Sequence, residues 1–276
     1  MHRLSLAAIP WITLLLAGSL RAEQEDLNTQ LMRATVKVSH DKTTGTGFVL
    51  YRPASHQTER SRFILVTAGH VFENIPGNEA TLFFRKKERE GEYKKLPLKI
   101  VIRKDGKPQW TKHPSEDVAA LVVVPPDHAD LPKLPVDLLA TDRALKKHRV
   151  HPGDVLASLG YPHRVEANGG GFPILRNGPL ASFPLVPTKV SKTFLLSTHT
   201  FEGDSGGPVY LASARRSGAE EEDRDEVRLI VGLVTRQMFL DEEMKMIYGT
   251  TKLRHRLSLA VVVHASFIRE TIQRLP

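Results

Sequence analysis

Short runs of β-branched and apolar residues, separated by polar, Gly or Pro clusters, recur along almost the whole chain and constrain it to an all-β fold. The first set is 34–39, 46–51, 63–67, 81–84, 96–103 and 118–124. The second is 154–159, 171–175, 180–184, 194–198, 208–212, 227–235 and 259–264. Two sets of about six strands with few helices between them predict two antiparallel six-stranded β-barrels. Residues 23–33, with Leu27, Leu31 and Met32 at helical spacing, predict a short N-terminal helix, and 266–275 a closing C-terminal helix. The 19 Gly and 18 Pro are scattered, which suits a chain with many turns. The expected organisation is a leader over 1–22, the N-terminal helix and first barrel over 23–125, and a Pro-rich connection over 126–150. The second barrel follows over 151–265 and the last helix over 266–276. Residues 215–226 form a charged insert between two strands and are expected as an exposed loop.

The leader has a short positive start, Met1-His2-Arg3, a nearly continuous apolar stretch from Leu4 to Ala17, and small residues up to Ala22. That is the pattern of a cleaved export signal. The apolar stretch falls short of the ~20 residues a spanning helix needs, and Pro10 interrupts it. The protein is therefore expected to be exported, periplasmic or secreted, with no stable membrane insertion once the signal is cleaved. The alternative, a retained anchor, changes where the protein sits and not its chemistry. There are no cysteines, which excludes disulfides, a cysteine nucleophile and thiolate metal sites. Net charge is +8; removing Arg3 and Arg21 with the leader leaves 37 basic against 31 acidic residues, or +6. The basic residues are dispersed and not interleaved with aromatics, so no nucleic-acid partner is expected. His113, His163, His199 and His264 are separated and lack HExxH-type spacing, and no metal or other cofactor is expected.

Three short motifs carry chemistry. Gly203-Asp204-Ser205-Gly206-Gly207-Pro208 surrounds a serine with glycines that allow a tight turn. A serine hydroxyl needs a base to take its proton and donors where the carbonyl oxygen becomes negative. The N–H groups of Gly203 and Ser205 are the candidate oxyanion donors. Thr67-Ala68-Gly69-His70 follows an apolar strand, and His is the side chain best suited to act as base and then acid near neutral pH. Asp117 opens the apolar run Val118-Ala119-Ala120-Leu121, where its carboxylate could accept the imidazole Nδ1–H. Glu116, one position earlier on an extended chain, should point the other way.

Taken together, in the order His70, Asp117, Ser205, these motifs resemble the trypsin-like (chymotrypsin-fold) serine peptidases. The nearest resemblance is to their cysteine-free bacterial Deg/HtrA-like branch. Thr46-Gly47-Phe48-Val49-Leu50 resembles that branch's early Gly-rich strand, and Gly153-Asp154-Val155 with Gly160-Tyr161-Pro162 its opening of the second barrel. Gly232-Leu233-Val234-Thr235 resembles the strand that pairs with substrate backbone. The resemblance implies a catalytic triad of His70, Asp117 and Ser205 in a cleft between barrels, and protein or peptide substrates. By the same likeness His199, six residues before Ser205, falls near the pocket base. Glu202 precedes the oxyanion glycine, while Thr235, Arg236 and Gln237 line the pocket wall. Nothing resembles an acidic pocket base, so a small or medium apolar residue before the scissile bond is expected.

Two departures stand out. Asp204 occupies a position where the bacterial branch usually has Asn. In trypsin the residue beside the serine pairs with a freed N-terminus, yet no Ile-Val-Gly-Gly start exists here. About twelve residues follow the last predicted strand, and no PDZ-like domain is expected. The reading is thus a serine endopeptidase acting on exported proteins through an acyl-enzyme. The alternatives are a catalytically silent peptidase-fold binding or sensing module, and an esterase of small acyl compounds.

Overall fold

The computed structural model describes residues 25–41, 43–54, 61–213 and 227–276. The expected leader and charged insert lie outside these residues. The chain opens with α1 (Leu27–Ala34), capped by Asp26, whose Oδ1 accepts the Thr29 N–H at 3.0 Å. Leu27, Leu31 and Ala34 form its buried face.

The first sheet is built from β1 (Thr35–His40), β2 (Thr43–Arg52), β3 (Arg62–Thr67), β4 (Glu79–Arg89) and β5 (Glu92–Val101). After the small pair β6 (Arg103–Lys104) and β7 (Lys107–Pro108) come β8 (Thr111–Lys112) and β9 (Ala119–Val123). Its order is β5-β4-β1-β2-β3-β9-β8, with every neighbour pair antiparallel. The short helix α2 (Gly69–Glu73) follows β3. The connection expected as plain linker contains α3 (Asp142–Lys147), capped by the Thr141 hydroxyl, which accepts the Ala144 N–H at 3.2 Å.

The second sheet uses β10 (Val155–Gly160), β11 (Ile174–Pro179), β12 (Thr193–Ser197) and β13 (Pro208–Ser213), with the long β14 (Val227–Met246) and β15 (Gly249–His264). Its order is β11-β10-β13-β14-β15-β12. The closing helix α4 (Ala265–Gln273) lays Phe267, Ile268 and Ile272 against β9 of one sheet and β14 of the other. Buried side chains such as Phe48, Leu50, Ile64, Val209, Ile230 and Val262 form one continuous core through both halves. Each such side chain contributes roughly 1.5–3 kcal/mol by leaving water.

The all-β expectation holds, with three corrections. The first sheet has seven strands and not six. Neither sheet closes into a continuous barrel among the described residues. The two edges of the second meet at the isolated bridge Leu180↔Leu196 and at the Ala181 N–H, which donates to the Leu195 carbonyl at 2.8 Å, without a continuous ladder, so the run 180–184 is no strand of its own. Pro184 and Pro187 bound that run and supply no ladder donors. β14 and β15 also run far beyond the expected 227–235 and 259–264, together forming a two-stranded arm past the sheet.

Candidate active site

The register of the first sheet gathers two of the expected residues. Thr67, the last residue of β3, pairs with Gly47 on one side and with Ala119, the first of β9, on the other. The residues just after β3 and just before β9 therefore meet at one edge. His70 lies there in the first turn of α2, and Asp117 ends the turn into β9. His70 Nδ1 and Asp117 Oδ2 are 2.6 Å apart, and Asp117 Oδ1 accepts the His70 backbone N–H at 2.9 Å. One carboxylate thus holds both the ring and the main chain of one residue. Burial pushes the Asp117 carboxyl upward, but the His70 contacts and the charge of Lys112 outweigh it and hold the group below its ordinary range.

The turn carrying Asp117 is itself fixed by a buried histidine. His113 donates its backbone N–H to the Val118 carbonyl at 2.9 Å, and its Nδ1 accepts the N–H groups of Ser115 (3.3 Å) and Glu116 (3.1 Å). Its Nε2 is 3.2 Å from Glu270 Oε2 on α4, so hydrogen-bond geometry assigns the ring proton to Nε2. Glu116 turns away from His70 and pairs with Lys192 at 2.8 Å.

The second sheet presents the serine. β13 and β14 pair Pro208 with Leu233, and the ladder extends to the two residues that precede β13. Gly206 N–H donates to the Val234 carbonyl at 2.7 Å, and Val234 N–H to the Gly207 carbonyl at 2.9 Å. Ser205 is thereby set beside Thr235. Gly203 and Gly206 hold positive φ (99° and 89°) where a Cβ would fall on the carbonyl oxygens of Tyr161 and Thr46 respectively. Only glycine fits at either position.

Thr46 of β2 links the two halves. Its N–H donates to the Ser205 carbonyl at 2.8 Å, and its hydroxyl donates to the Gly203 carbonyl at 2.7 Å. The same hydroxyl accepts the Tyr161 N–H at 3.2 Å, while the Thr46 carbonyl accepts the Thr67 hydroxyl at 2.7 Å. Thr46 is fully buried, so these bonds are shielded from water. On the far side of the loop Asp204 is also buried. Arg176 Nη2 of β11 lies 2.5 Å from its Oδ1, and its Oδ2 accepts the Phe201 N–H at 2.7 Å.

A sequence model of the trypsin-like peptidase domain matches residues 45–216, a span that contains His70, Asp117 and Ser205. The chain belongs to the trypsin-like peptidase family. Two crystal structures of inactive forms of Rv3671c are similar to this peptidase. One is a serine-to-alanine mutant of the M. tuberculosis H37Rv protein, at 17% identity, 90% of this chain, 89% of the other and a TM-score of 0.45. The other is the Rv3671c protease, at 18% identity, 90% of this chain, 92% of the other and a TM-score of 0.43. No curated protein matches the chain in sequence.

In this trypsin-like peptidase the serine hydroxyl donates to the Thr235 carbonyl at 3.1 Å, and no hydrogen bond joins Ser205 to His70 among the described residues. The N–H groups of Gly203 and Ser205 likewise donate to no protein acceptor among the described residues. The expected pocket residues divide. Thr235 presents its carbonyl to Ser205, but its own hydroxyl donates to the Val261 carbonyl at 3.1 Å. Arg236 and Gln237 continue β14, paired with Val261 and Ala260. His199 is exposed, with Nδ1 3.0 Å from the Ser258 hydroxyl, and Glu202 accepts the His163 N–H through its carbonyl at 2.7 Å. Residues not foreseen here are Arg176, His113 and Phe201, whose ring lies 4.9 Å from the Arg256 guanidinium. The buried charge of Asp204 was the one sequence signal that asked for a cationic partner. No helix of the described residues is long and apolar enough to cross a membrane.

Proposed function

We propose that the protein is a serine endopeptidase of exported proteins, with Ser205 as nucleophile, His70 as base and Asp117 as the group that orients it. The observation that carries this reading is the double grip of Asp117 on His70, at 2.6 Å to the ring and 2.9 Å to the main chain. It sits at the edge where Thr46 fixes the Ser205 loop. With Nδ1–H committed to the carboxylate, the lone pair of His70 Nε2 is left to receive a proton.

Ser205 turns about χ1 from the Thr235 carbonyl towards His70. Its Oγ then forms a bond to the peptide carbonyl carbon as its proton passes to Nε2. The Gly203 and Ser205 N–H groups, left without protein acceptors, take the oxyanion. The carbon–nitrogen bond breaks as His70 returns the proton to the leaving amine, and an acyl ester remains on Ser205. Water gives a proton to His70 and its oxygen attacks that ester; the carbon–Oγ bond breaks as His70 returns the proton to Ser205 Oγ, which frees the acid and the serine. No metal enters any step. The leader-like start of the sequence supports exported substrates, and an apolar residue before the scissile bond is the proposed preference.

The bond from Ser205 Oγ to the Thr235 carbonyl favours a second reading, a silent binding module whose serine never meets the base. Cleavage of an unfolded model protein separates the two. The endopeptidase reading expects turnover by wild type and a loss on the order of 10⁶-fold in Ser205→Ala. Absence of turnover by wild type, or equal turnover by the variant, contradicts it.

A further inference from the structure

Beyond Leu233 the strand β14 has no ladder partner from β13, and beyond Leu259 the strand β15 has none from β12. From Phe239 to Arg256 the two strands pair only with each other, and both outer edges are free among the described residues. A two-stranded ribbon on its own is marginally stable in water, and a free edge is a template for another chain.

The register sorts the side chains of this arm. Leu240 pairs with His255, Glu242 with Leu253, Met244 with Thr251 and Met246 with Gly249, so Leu240, Met244, Met246 and Leu253 share one face. Leu240 is 54% exposed and Met246 60%. The polar groups on this face are partnered, with His255 Nε2 3.0 Å from Glu242 Oε2. The opposite face carries the rest, cross-paired as Asp241–Arg254 (2.7 Å) and Glu243–Lys252 (3.2 Å). At the turn Tyr248 is fully exposed. What the arm offers is a flexible, methionine-containing apolar strip bordered by free backbone groups. It matches an extended, uncharged, apolar segment of chain, the kind that unfolded proteins display and folded ones bury.

The free edge of β14 also starts at the reacting atoms. Val234 is its last residue bonded to the Ser205 loop, and the next carbonyl, that of Thr235, accepts the Ser205 hydroxyl. The strand then continues through Arg236 and Gln237 into the arm, with its register against β15 shifting at Thr235 and at Met238. The base of the arm touches the loop before the serine, with Arg256 over Phe201 and Ser258 at His199.

We propose that the arm is an accessory docking surface for the polypeptide being cleaved. An extended apolar stretch of substrate, outside the residues around the scissile bond, adds along the β14 edge and against the Leu240–Met246 face. The inference rests on the endopeptidase reading and deepens it. It makes the enzyme selective for unfolded segments by length and apolarity, independently of the residue at the cut.

The test compares a short fluorogenic peptide with a chemically unfolded, cysteine-blocked protein on the full chain. Two variants are used: Leu240→Asp with Met244→Asp, and an arm in which an Asn-Gly turn replaces residues 240–255, closed by the Phe239–Arg256 pair. For the long substrate KM should rise about tenfold or more with kcat unchanged, since each tenfold corresponds to ~1.4 kcal/mol of lost contact. For the short peptide both constants should stay within about twofold of wild type. A series of peptides lengthened on either side of the cut should show KM falling with length on one side only, and the paired aspartates should remove that gain. Unchanged KM for the long substrate overturns the inference, as does a parallel loss on both substrates in the paired-aspartate variant. A wild-type dimer that the variants dissociate, with long-substrate kinetics unaltered, assigns the arm to a second copy and overturns it too. Failure of the endopeptidase reading looks different, because wild type then cleaves neither substrate.

Discussion

The two halves of the candidate site are held in different ways. On the first sheet, His70 is fixed by a side chain: one carboxylate grips its ring and its N–H, and the buried His113 fixes the turn that carries that carboxylate. On the second sheet, Ser205 is fixed by backbone: glycines at positive φ, two ladder bonds with Val234 and the Thr46 clamp. Its hydroxyl is left to rotate. The comparison teaches that base and orienting acid are built as a finished pair, while the nucleophile is a finished loop with one free torsion. Substitutions in the first half should therefore change chemistry, and those in the second should change loop geometry and stability as well.

Among substitutions that leave the nucleophile in place, the largest effect expected is in the first half. Asp117→Asn keeps the shape but presents an amide to Nδ1 and disfavours the tautomer that leaves Nε2 free, so kcat should fall about 10⁴-fold. Steady-state kinetics measure the loss, and a thermal melt near that of wild type would place it in chemistry alone. Next comes the second half. Arg176→Met leaves Asp204 as a buried charge without its cation, and unfolding free energy should drop by ~3–5 kcal/mol. Adding Asp204→Asn should restore much of it in denaturant titrations. A single variant as stable as wild type would break the view that the loop depends on this pair.

Acid should separate the halves. Burial pushes His264, the last residue of β15, down to about 4 from 6.5. Its neutral form is favoured in the fold, so stability is full above pH 6.5 and declines as pH falls towards 4. The total is roughly 3 kcal/mol at ~1.4 kcal/mol per unit. The Asp117 carboxyl, held below its ordinary range, contributes stability that is lost only as pH falls below 3.8. Urea unfolding across pH 4–7 should slope in wild type and flatten in His264→Leu. The smallest effect belongs to the link. Thr46→Val removes the bond to the Gly203 carbonyl and strands the Tyr161 N–H, which costs ~1–3 kcal/mol. Its kcat should fall by less than the ~10²-fold cost of losing an oxyanion donor outright. A kcat unchanged in this variant would show that the two halves are independent.

Much of this was legible in the sequence, for identifiable reasons. Strands with one buried face declare themselves by composition, and Thr67 and Ala119 had to share an edge once β3 and β9 were recognised as neighbours. The Ser205 motif was legible because only glycine tolerates its turns. The arm was not, because an exposed ribbon carries charges on one face, and Asp241-Glu242-Glu243 reads as loop. α3 was hidden by the prolines that precede it. Arg176 lies 28 residues before Asp204 and its role depends on a β10–β11 hairpin that no local pattern sets. The direction of the Ser205 hydroxyl is a tertiary property, decided by where the Thr235 carbonyl falls.

The central claim is that Ser205, resting on the Thr235 carbonyl, is nonetheless activated by His70. Fluorophosphonate labelling followed by peptide mass spectrometry tests it most directly, on wild type and on His70→Ala. An adduct on Ser205 is expected in wild type, with labelling on the order of 10⁶-fold slower without the imidazole. No adduct on Ser205 in wild type, or equal rates in the two proteins, would contradict it.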